Sequence, residues 1–163
     1  MRHLLKLLFF TVFTCCAVSL FMACDEASES SVGRLSPLFK FVTHSALKDT
    51  LKEKSFDSLT VVALNTVHGD SIIIDNEKKV TSANLPLSYV KNKTVLVFKY
   101  SKDTIDTIWV THTNTERFIS MDRGIAMFYH IDKVEHTKHL IDSIAIVNSE
   151  VNINEKENIR IYY

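Results

Sequence analysis

The segment TVLVFKYSKDTIDTIWVTH, residues 94–112, carries the clearest fold signal in this chain. Two runs rich in β-branched and aromatic residues, 94–100 and 104–112, flank a short polar connector. This arrangement is typical of two antiparallel strands joined by a tight turn. We therefore predict a β-hairpin over residues 94–112.

Similar short runs recur from Pro37 onward, at spacings of roughly 8–12 residues, as in all-β domains. No long amphipathic helix pattern separates them. We predict an all-β fold, an antiparallel β-sandwich of immunoglobulin-like architecture with about eight or nine short strands. Besides the two strands of the hairpin, the expected strands are 56–67, 71–75, 85–90, 117–121, 124–134, 143–148 and 158–163, and 39–44 is a candidate for a first strand.

Composition excludes several classes of function. Nineteen basic residues balance nineteen acidic ones, so no overall charge attracts nucleic acid. All three cysteines lie in the first 24 residues, which leaves the body of the chain without a disulfide, thiolate metal site or catalytic thiol. The three glycines are too scattered for a phosphate-binding loop. We expect no cofactor and no nucleic-acid partner.

The first 23 residues have the pattern of a secretory signal peptide. A short basic start precedes a nearly unbroken apolar run, residues 7–23, which ends in a small residue. Ala23 and Cys24 then match the end of the lipobox of bacterial lipoproteins, which this site resembles, although Phe21 stands where leucine is usual. We predict cleavage between Ala23 and Cys24 and lipid attachment to Cys24. An uncleaved membrane anchor and a secreted form cut elsewhere are the alternatives.

Three acids, Asp25, Glu26 and Glu29, follow the cysteine. In Bacteroidota lipoproteins such acids resemble a surface-export signal, whereas in enterobacteria an aspartate directly after the cysteine resembles an inner-membrane retention signal. We expect residues 24–36 to form the lipidated cysteine and a flexible tether, and residues 37–163 to form the domain. The expected address is the outer membrane, facing the periplasm or the surface.

Three histidines, His130, His136 and His139, are the weak candidates for a metal site. Imidazoles can bind zinc, but the ligands must converge on one point. Strand alternation separates neighbouring side chains, and no H-E-x-x-H motif is present. We therefore predict no metal at these histidines.

Two pairs of acids raise the possibility of carboxylate catalysis. Asp103 and Asp106 flank the turn of the hairpin, and Asp70 and Asp75 bracket residues 71–75. A glycosidase needs two carboxylates at a set separation in a cleft, whereas aspartate beside a turn is ordinary turn chemistry. We predict no catalytic residue and no enzyme.

Trp109 is the one residue that suggests a binding surface. It lies mid-strand, and its neighbours Ile108 and Val110 must point to the opposite face. Trp109 is therefore either part of the core or an exposed platform for a sugar or a protein partner.

The order of segments from residue 55 to the end resembles a known family. The hairpin, RFISMDRGIAMFYHID at 117–132 and the closing IDSIAIVNSEVNINEKENIRIYY at 141–163 carry the likeness. They are similar to a family of small uncharacterised Bacteroidales lipoproteins with a domain of unknown function. The resemblance implies compartment and lineage, and no activity.

These observations predict a lipid-anchored protein of the cell envelope. We expect a binding or accessory module that contacts the membrane through its lipid and recognises an envelope protein or glycan. Two alternatives remain open: a metal-dependent or carboxylate hydrolase, and a purely structural spacer.

Overall fold

The computed structural model describes residues 33–44 and 50–163, and this part of the chain is all-β, as predicted. It has twelve strands and no helix, and hence no helix long and apolar enough to cross a membrane. The strands are β1 Gly33–Arg34, β2 Leu38–His44, β3 Leu51–Glu53, β4 Leu59–Thr66, β5 Gly69–Glu77, β6 Ser82–Asn84, β7 Lys93–Lys99, β8 Ile105–Ser120, β9 Gly124–His136, β10 Ser143–Ile146, β11 Glu150–Val151 and β12 Glu157–Tyr162.

The strands form two sheets. The large sheet has seven strands in the order β1-β9-β8-β7-β4-β5, with β11 also paired to β9. The small sheet has five strands in the order β10-β12-β2-β3, with β6 also paired to β2. In the large sheet, β7 and β8 form the predicted hairpin, with Lys99 opposite Ile105 and Lys93 opposite Thr111.

One hydrophobic core takes side chains from both sheets. Alternate residues of each strand point inward because side chains in a strand have a period of two. Phe41 of β2 and Phe98 of β7 meet edge to face with ring centroids 6.2 Å apart, which joins the small sheet to the large one. The fully buried residues of this core include Phe39, Leu59, Leu96, Ile108, Val110, Ile159 and Ile161.

The expectation of purely antiparallel pairing is wrong in two places, so both sheets are mixed. β1 pairs with β9 in parallel, and β12 pairs with β2 in parallel. The strand count also exceeds the predicted eight or nine, because β1, β3, β6 and β11 have only two or three residues each. Strands this short carry no periodic signal of their own and form because a longer strand lies beside them.

Three boundaries differ from the predicted ones. Gly33–Arg34, placed in the tether by the sequence, forms β1 on the edge of the large sheet. Residues 85–90, predicted as a strand, form a loop. The stretch 117–121 was predicted as a separate strand, but residues 117–120 are the end of the 16-residue β8 and residue 121 begins the next turn. The pairing of β8 with β9 shifts register between Thr111 and His112, where the pairing with β7 ends.

Candidate functional site

A cleft of about 210 Å³ is the most promising site in the described part of the chain. It lies between the end of β4, the turn after it and the loop 86–89, and Arg34 of β1 and Ile73 of β5 also line it. These two strands stand at opposite ends of the order of the large sheet. Both can line one cleft only because the sheet curls on itself.

The cleft combines an apolar wall with positive charge. Its apolar lining residues are Ala63, Leu64, Val67, Ile73, Pro86 and Leu87. Arg34, Lys93 and His68 add cationic or protonatable groups, and none of its described lining residues is Asp or Glu. The guanidinium carbon of Arg34 lies 4.0 Å from the centre of the Tyr89 ring, a cation–π contact that holds the charge at the cleft.

The loop that forms one wall of the cleft is held by a buried histidine. His112 of β8 is fully buried, and its Nε2 lies 2.8 Å from Thr94 Oγ1 while its Nδ1 lies 2.7 Å from Asn114 Oδ1. The Asn114 amide nitrogen donates to the carbonyl oxygens of Ser88 and Lys91, at 3.1 and 3.2 Å. The histidine thus links β7 to the loop through two neighbours.

The hydrogen-bond network also assigns the tautomer of His112. The Asn114 amide nitrogen donates to two carbonyls, so its oxygen meets Nδ1, and Nδ1 carries the proton. Nε2 of the neutral ring then accepts the Thr94 hydroxyl hydrogen, and the same hydroxyl oxygen accepts the Ser88 amide at 2.8 Å. Burial lowers the pKa of His112, against smaller opposing effects of Asn114 and the charge of Asp132. His112 is therefore neutral in the folded protein near pH 7.

Further bonds fix the same loop. The Tyr129 hydroxyl donates to the Leu87 carbonyl at 3.4 Å, and the His112 amide donates to the Asn92 carbonyl at 2.9 Å. Lys91 Nζ donates to the Asn65 carbonyl at 3.0 Å, which joins the loop to the end of β4. The cleft wall is consequently preorganised, and a ligand would not have to order it.

Neither Arg34 nor His112 was among the site residues predicted from the sequence. His112 had a usable signal, because it continues the inward series 106, 108 and 110 of β8 and a polar residue on that face must find partners. Arg34 had none. Its position depends on the two-residue pairing of β1 with β9.

Trp109 lies outside the core, on the outer face of the large sheet. Ile108 and Val110 are fully buried on the inner face, whereas Trp109 is half-buried between Val95 and Glu135 on the neighbouring strands. Other apolar residues of the outer face lie on the neighbouring strands β4, β5 and β7. They are Val62, Leu64, Ile72 and Val97. The structure thus places Trp109 outside the core, and its role as a binding platform stays a prediction.

The acid pairs do not form a catalytic arrangement. Asp106 is fully buried, and its carboxylate accepts bonds from the Thr137 hydroxyl and from the amides of His139, Leu140 and Ile141, at 2.6 to 3.0 Å. Asp103 is exposed on the turn. Asp70 accepts a bond from the Asn65 amide at 2.9 Å, and Asp75 is exposed. Asp106 thus anchors residues 137–141 instead of facing a cleft.

The three histidines have separate partners. His130 Nδ1 lies 2.6 Å from Glu150, His136 Nδ1 donates to the Thr137 carbonyl at 2.7 Å, and His139 Nδ1 lies 3.3 Å from Asp106. Among the described residues no group of three or more His, Cys, Asp or Glu side chains is placed to hold a metal ion. The lipidation and export predictions for Ala23, Cys24, Asp25, Glu26 and Glu29 fall outside the residues that the structure describes.

Comparison with known proteins places the domain in one family. A family model, described as a family of unknown function (DUF6452), matches residues 58–163. The match takes in β4 to β12, and thus most of the cleft lining, whereas Arg34 lies before it. No curated protein and no solved structure matches the chain.

Proposed function

Because this chain belongs to the DUF6452 family, whose function is unknown, we propose a role from its own residues. It is a lipid-anchored protein of the cell envelope, held in the outer membrane by Cys24, and its β-domain is a binding module. The cleft beside Arg34 takes a ligand, or a group on an envelope partner, that combines a negative charge with an apolar body.

The observation that carries this proposal is the composition of the cleft. Arg34 brings positive charge to a mainly apolar cavity, and none of the described residues that line it is Asp or Glu. An arginine fork matches a carboxylate or phosphate group with two hydrogen bonds. The apolar wall formed by Ala63, Ile73 and Leu87 suits the attached hydrocarbon or ring.

Binding is favoured over catalysis by the state of the acidic side chains. A general acid or base must reach the reacting atoms. Asp106 is fully buried, and four hydrogen-bond donors already surround its carboxylate. The hydrolase alternative therefore has no supporting arrangement in the described residues, and the cleft argues against a pure spacer.

The immunoglobulin-like arrangement of the two sheets is also a proposal. We infer a sandwich of immunoglobulin-like architecture, adapted by the two parallel pairings. The contribution of both sheets to one core supports it. A solved structure in which the small sheet does not cover the inner face of the large one would contradict it.

The ligand proposal can be tested by methyl NMR on the full chain in lipid nanodiscs. The probes are phenylphosphonate and benzyltrimethylammonium, which share a ring and differ in charge. We expect phenylphosphonate to shift the methyl signals of Ala63, Ile73 and Leu87 and to leave Ile159 unchanged. The cation should shift none of them.

Two exposed arginines that stack on aromatic rings provide a matched pair of variants. Arg34 lies 4.0 Å from the Tyr89 ring at the cleft, and Arg117 lies 5.2 Å from the Phe128 ring elsewhere. Arg34→Gln should weaken phenylphosphonate binding by about tenfold, as for the loss of one charge-assisted contact. Arg117→Gln should not change it. Equal shifts with both probes, or none with either, would refute the anionic site and leave the spacer role standing.

A further inference from the structure

On its β7 side the β8–β9 hairpin extends beyond the large sheet, whereas on the other side β1 accompanies β9 at Ala126 and Met127. β7 accompanies β8 only as far as the pair Lys93 and Thr111, whereas β8 continues to Ser120 and pairs with β9 as far as Gly124. On the β7 side, the last nine residues of β8 have no neighbouring strand (120 − 111 = 9). The end of this hairpin is the turn formed by residues 121–123.

Large apolar side chains are exposed at this end. Phe118 and Ile125 form a cross-strand pair and are 64% and 45% exposed, and Met121 in the turn is 91% exposed. The charged residues around them are Glu116, Arg117, Asp122 and Arg123. Because these charges balance, the local feature is an apolar tip with arginines beside it. Clustered exposed apolar residues mark an interaction surface more often than isolated ones do.

The first strand of the domain, β1, begins at the same end of the sheet as the β8–β9 turn. β1 runs parallel to β9, with Gly33 opposite Ala126 and Arg34 opposite Met127. The N-terminal end of β1 therefore points toward the β8–β9 turn. Cys24 is nine residues before Gly33 (33 − 24 = 9). Nine residues reach at most about 30 Å, so a lipid on Cys24 would keep this end of the domain near its bilayer.

We propose that the tip formed by Phe118, Met121 and Ile125 inserts into the interfacial layer of the bilayer that holds the Cys24 lipid. This inference depends on the proposed lipid anchor. Apolar side chains enter the boundary between headgroups and acyl chains, while arginines such as Arg117 and Arg123 extend toward lipid phosphates. The lipid and the tip together make two attachments, which set the orientation of the domain.

The orientation has a definite consequence for the other end of β8. This strand has 16 residues and spans about 50 Å when extended. The turn of residues 101–103, which joins β7 to β8, therefore points away from the membrane. Lys102 in that turn is exposed and serves as the reference position for a test.

The test uses the lipidated chain in phosphatidylcholine vesicles, with a thiol-reactive NBD label at a single introduced cysteine. The sulfur of Cys24 is blocked by its lipid, and Cys15 and Cys16 leave with the signal peptide. Met121→Cys is the probe and Lys102→Cys is the control. Doxyl-labelled lipids, which quench fluorophores inside the bilayer, report depth. We expect strong quenching and a blue-shifted emission at position 121, with neither at position 102.

The outcomes separate this inference from the proposed anchor. If the labelled chain sediments with vesicles and position 121 is quenched no more than position 102, the inserted tip is refuted while the anchor stands. If the chain does not sediment with vesicles, both the anchor and the inserted tip are refuted. As a second check, Phe118→Ser with Ile125→Ser should reduce quenching at position 121 and leave the urea midpoint almost unchanged, because both side chains are exposed.

Discussion

The Thr94 hydroxyl oxygen lies 2.8 Å from Nε2 of His112 in the interior of the domain, where Thr94 is 5% exposed and His112 is not exposed at all. This bond joins two neighbouring strands that also share a backbone ladder. Its further partners, Ser88 and Asn114, hold the loop that lines the cleft. The protonation state of one histidine is thus coupled to the shape of the candidate site.

We expect the protein to lose stability on mild acidification because of His112. Burial lowers the pKa of His112 in the folded state below its ordinary value of 6.5. The unfolded chain then binds the proton more readily, so the contribution of neutral His112 is complete above about pH 6.5 and is lost as the pH falls through the lower folded pKa. Urea unfolding at about pH 7.5 and about pH 5 should show this fall in the free energy of unfolding.

Two glutamine variants separate His112 from the other histidines. His112→Gln should reduce the difference in the free energy of unfolding between the two pH values. His130→Gln, at an exposed histidine outside this network, is the comparison variant. An equal effect of both variants would contradict the assignment to His112.

Removal of the Asp106 carboxylate should be strongly destabilising. Asp106→Ala leaves the amides of His139, Leu140 and Ile141 without their acceptor. Each buried unpaired donor costs about 1–3 kcal/mol, so we expect a loss of roughly 3 kcal/mol or more in the free energy of unfolding. Asp103→Ala on the exposed turn should change it by less than about 0.5 kcal/mol. Denaturant titration of both variants measures the difference.

We expect a second loss of folding stability at lower pH, when the Asp106 carboxylate is protonated. Burial alone raises the pKa of this carboxyl, but the bonds from Thr137 and the three amides outweigh it and lower the pKa below 3.8. The stability that the carboxylate contributes is present above about pH 3.8 and is lost as the pH falls through the folded pKa. Acid unfolding followed by circular dichroism should begin at higher pH in Asp106→Asn than in the wild type if the neutral amide breaks this anchor.

The two faces of β8 should respond differently to truncation. Ile108 is fully buried, so Ile108→Ala should lower the free energy of unfolding by about 2–5 kcal/mol. Trp109 is half-buried on the outer face, where its removal opens a depression to solvent instead of an enclosed cavity, so Trp109→Ala should cost less free energy per Å² of lost side-chain surface than Ile108→Ala. An equal or larger cost per Å² for Trp109→Ala would place the tryptophan in the core.

The lipid anchor is tested by Cys24→Ser in cells that carry a tag at Tyr163. We expect the Cys24→Ser protein to be absent from the membrane fraction and to incorporate no labelled palmitate. Unchanged membrane association would refute the anchor. Protease treatment of intact cells then gives the address, because cleavage of the wild type indicates a surface position and protection until the outer membrane is opened indicates a periplasmic one.

The local sequence was sufficient to predict the strands that alternate clearly. Over residues 94–112 the period of two predicts both strands of the hairpin, whereas the structure decides that Ile108 and Val110, and not Trp109, face the core. The same alternation would place His112 inward. The same reasoning failed at residues 85–90, which form a loop. Leu85 and Leu87 are buried there, and their alternate spacing resembles that of a strand.

The cleft and the parallel pairs were decided only by the tertiary structure. Arg34 and Ile73 line one cavity because the large sheet curls, and Gly33 meets Ala126 across more than ninety residues (126 − 33 = 93). Such contacts depend on how whole sheets pack and on neighbours far along the chain, which a local pattern cannot encode. The sequence by itself therefore determined the all-β class and the positions of the main strands, and the packing of the sheets determined which strand faces are buried and where the site lies.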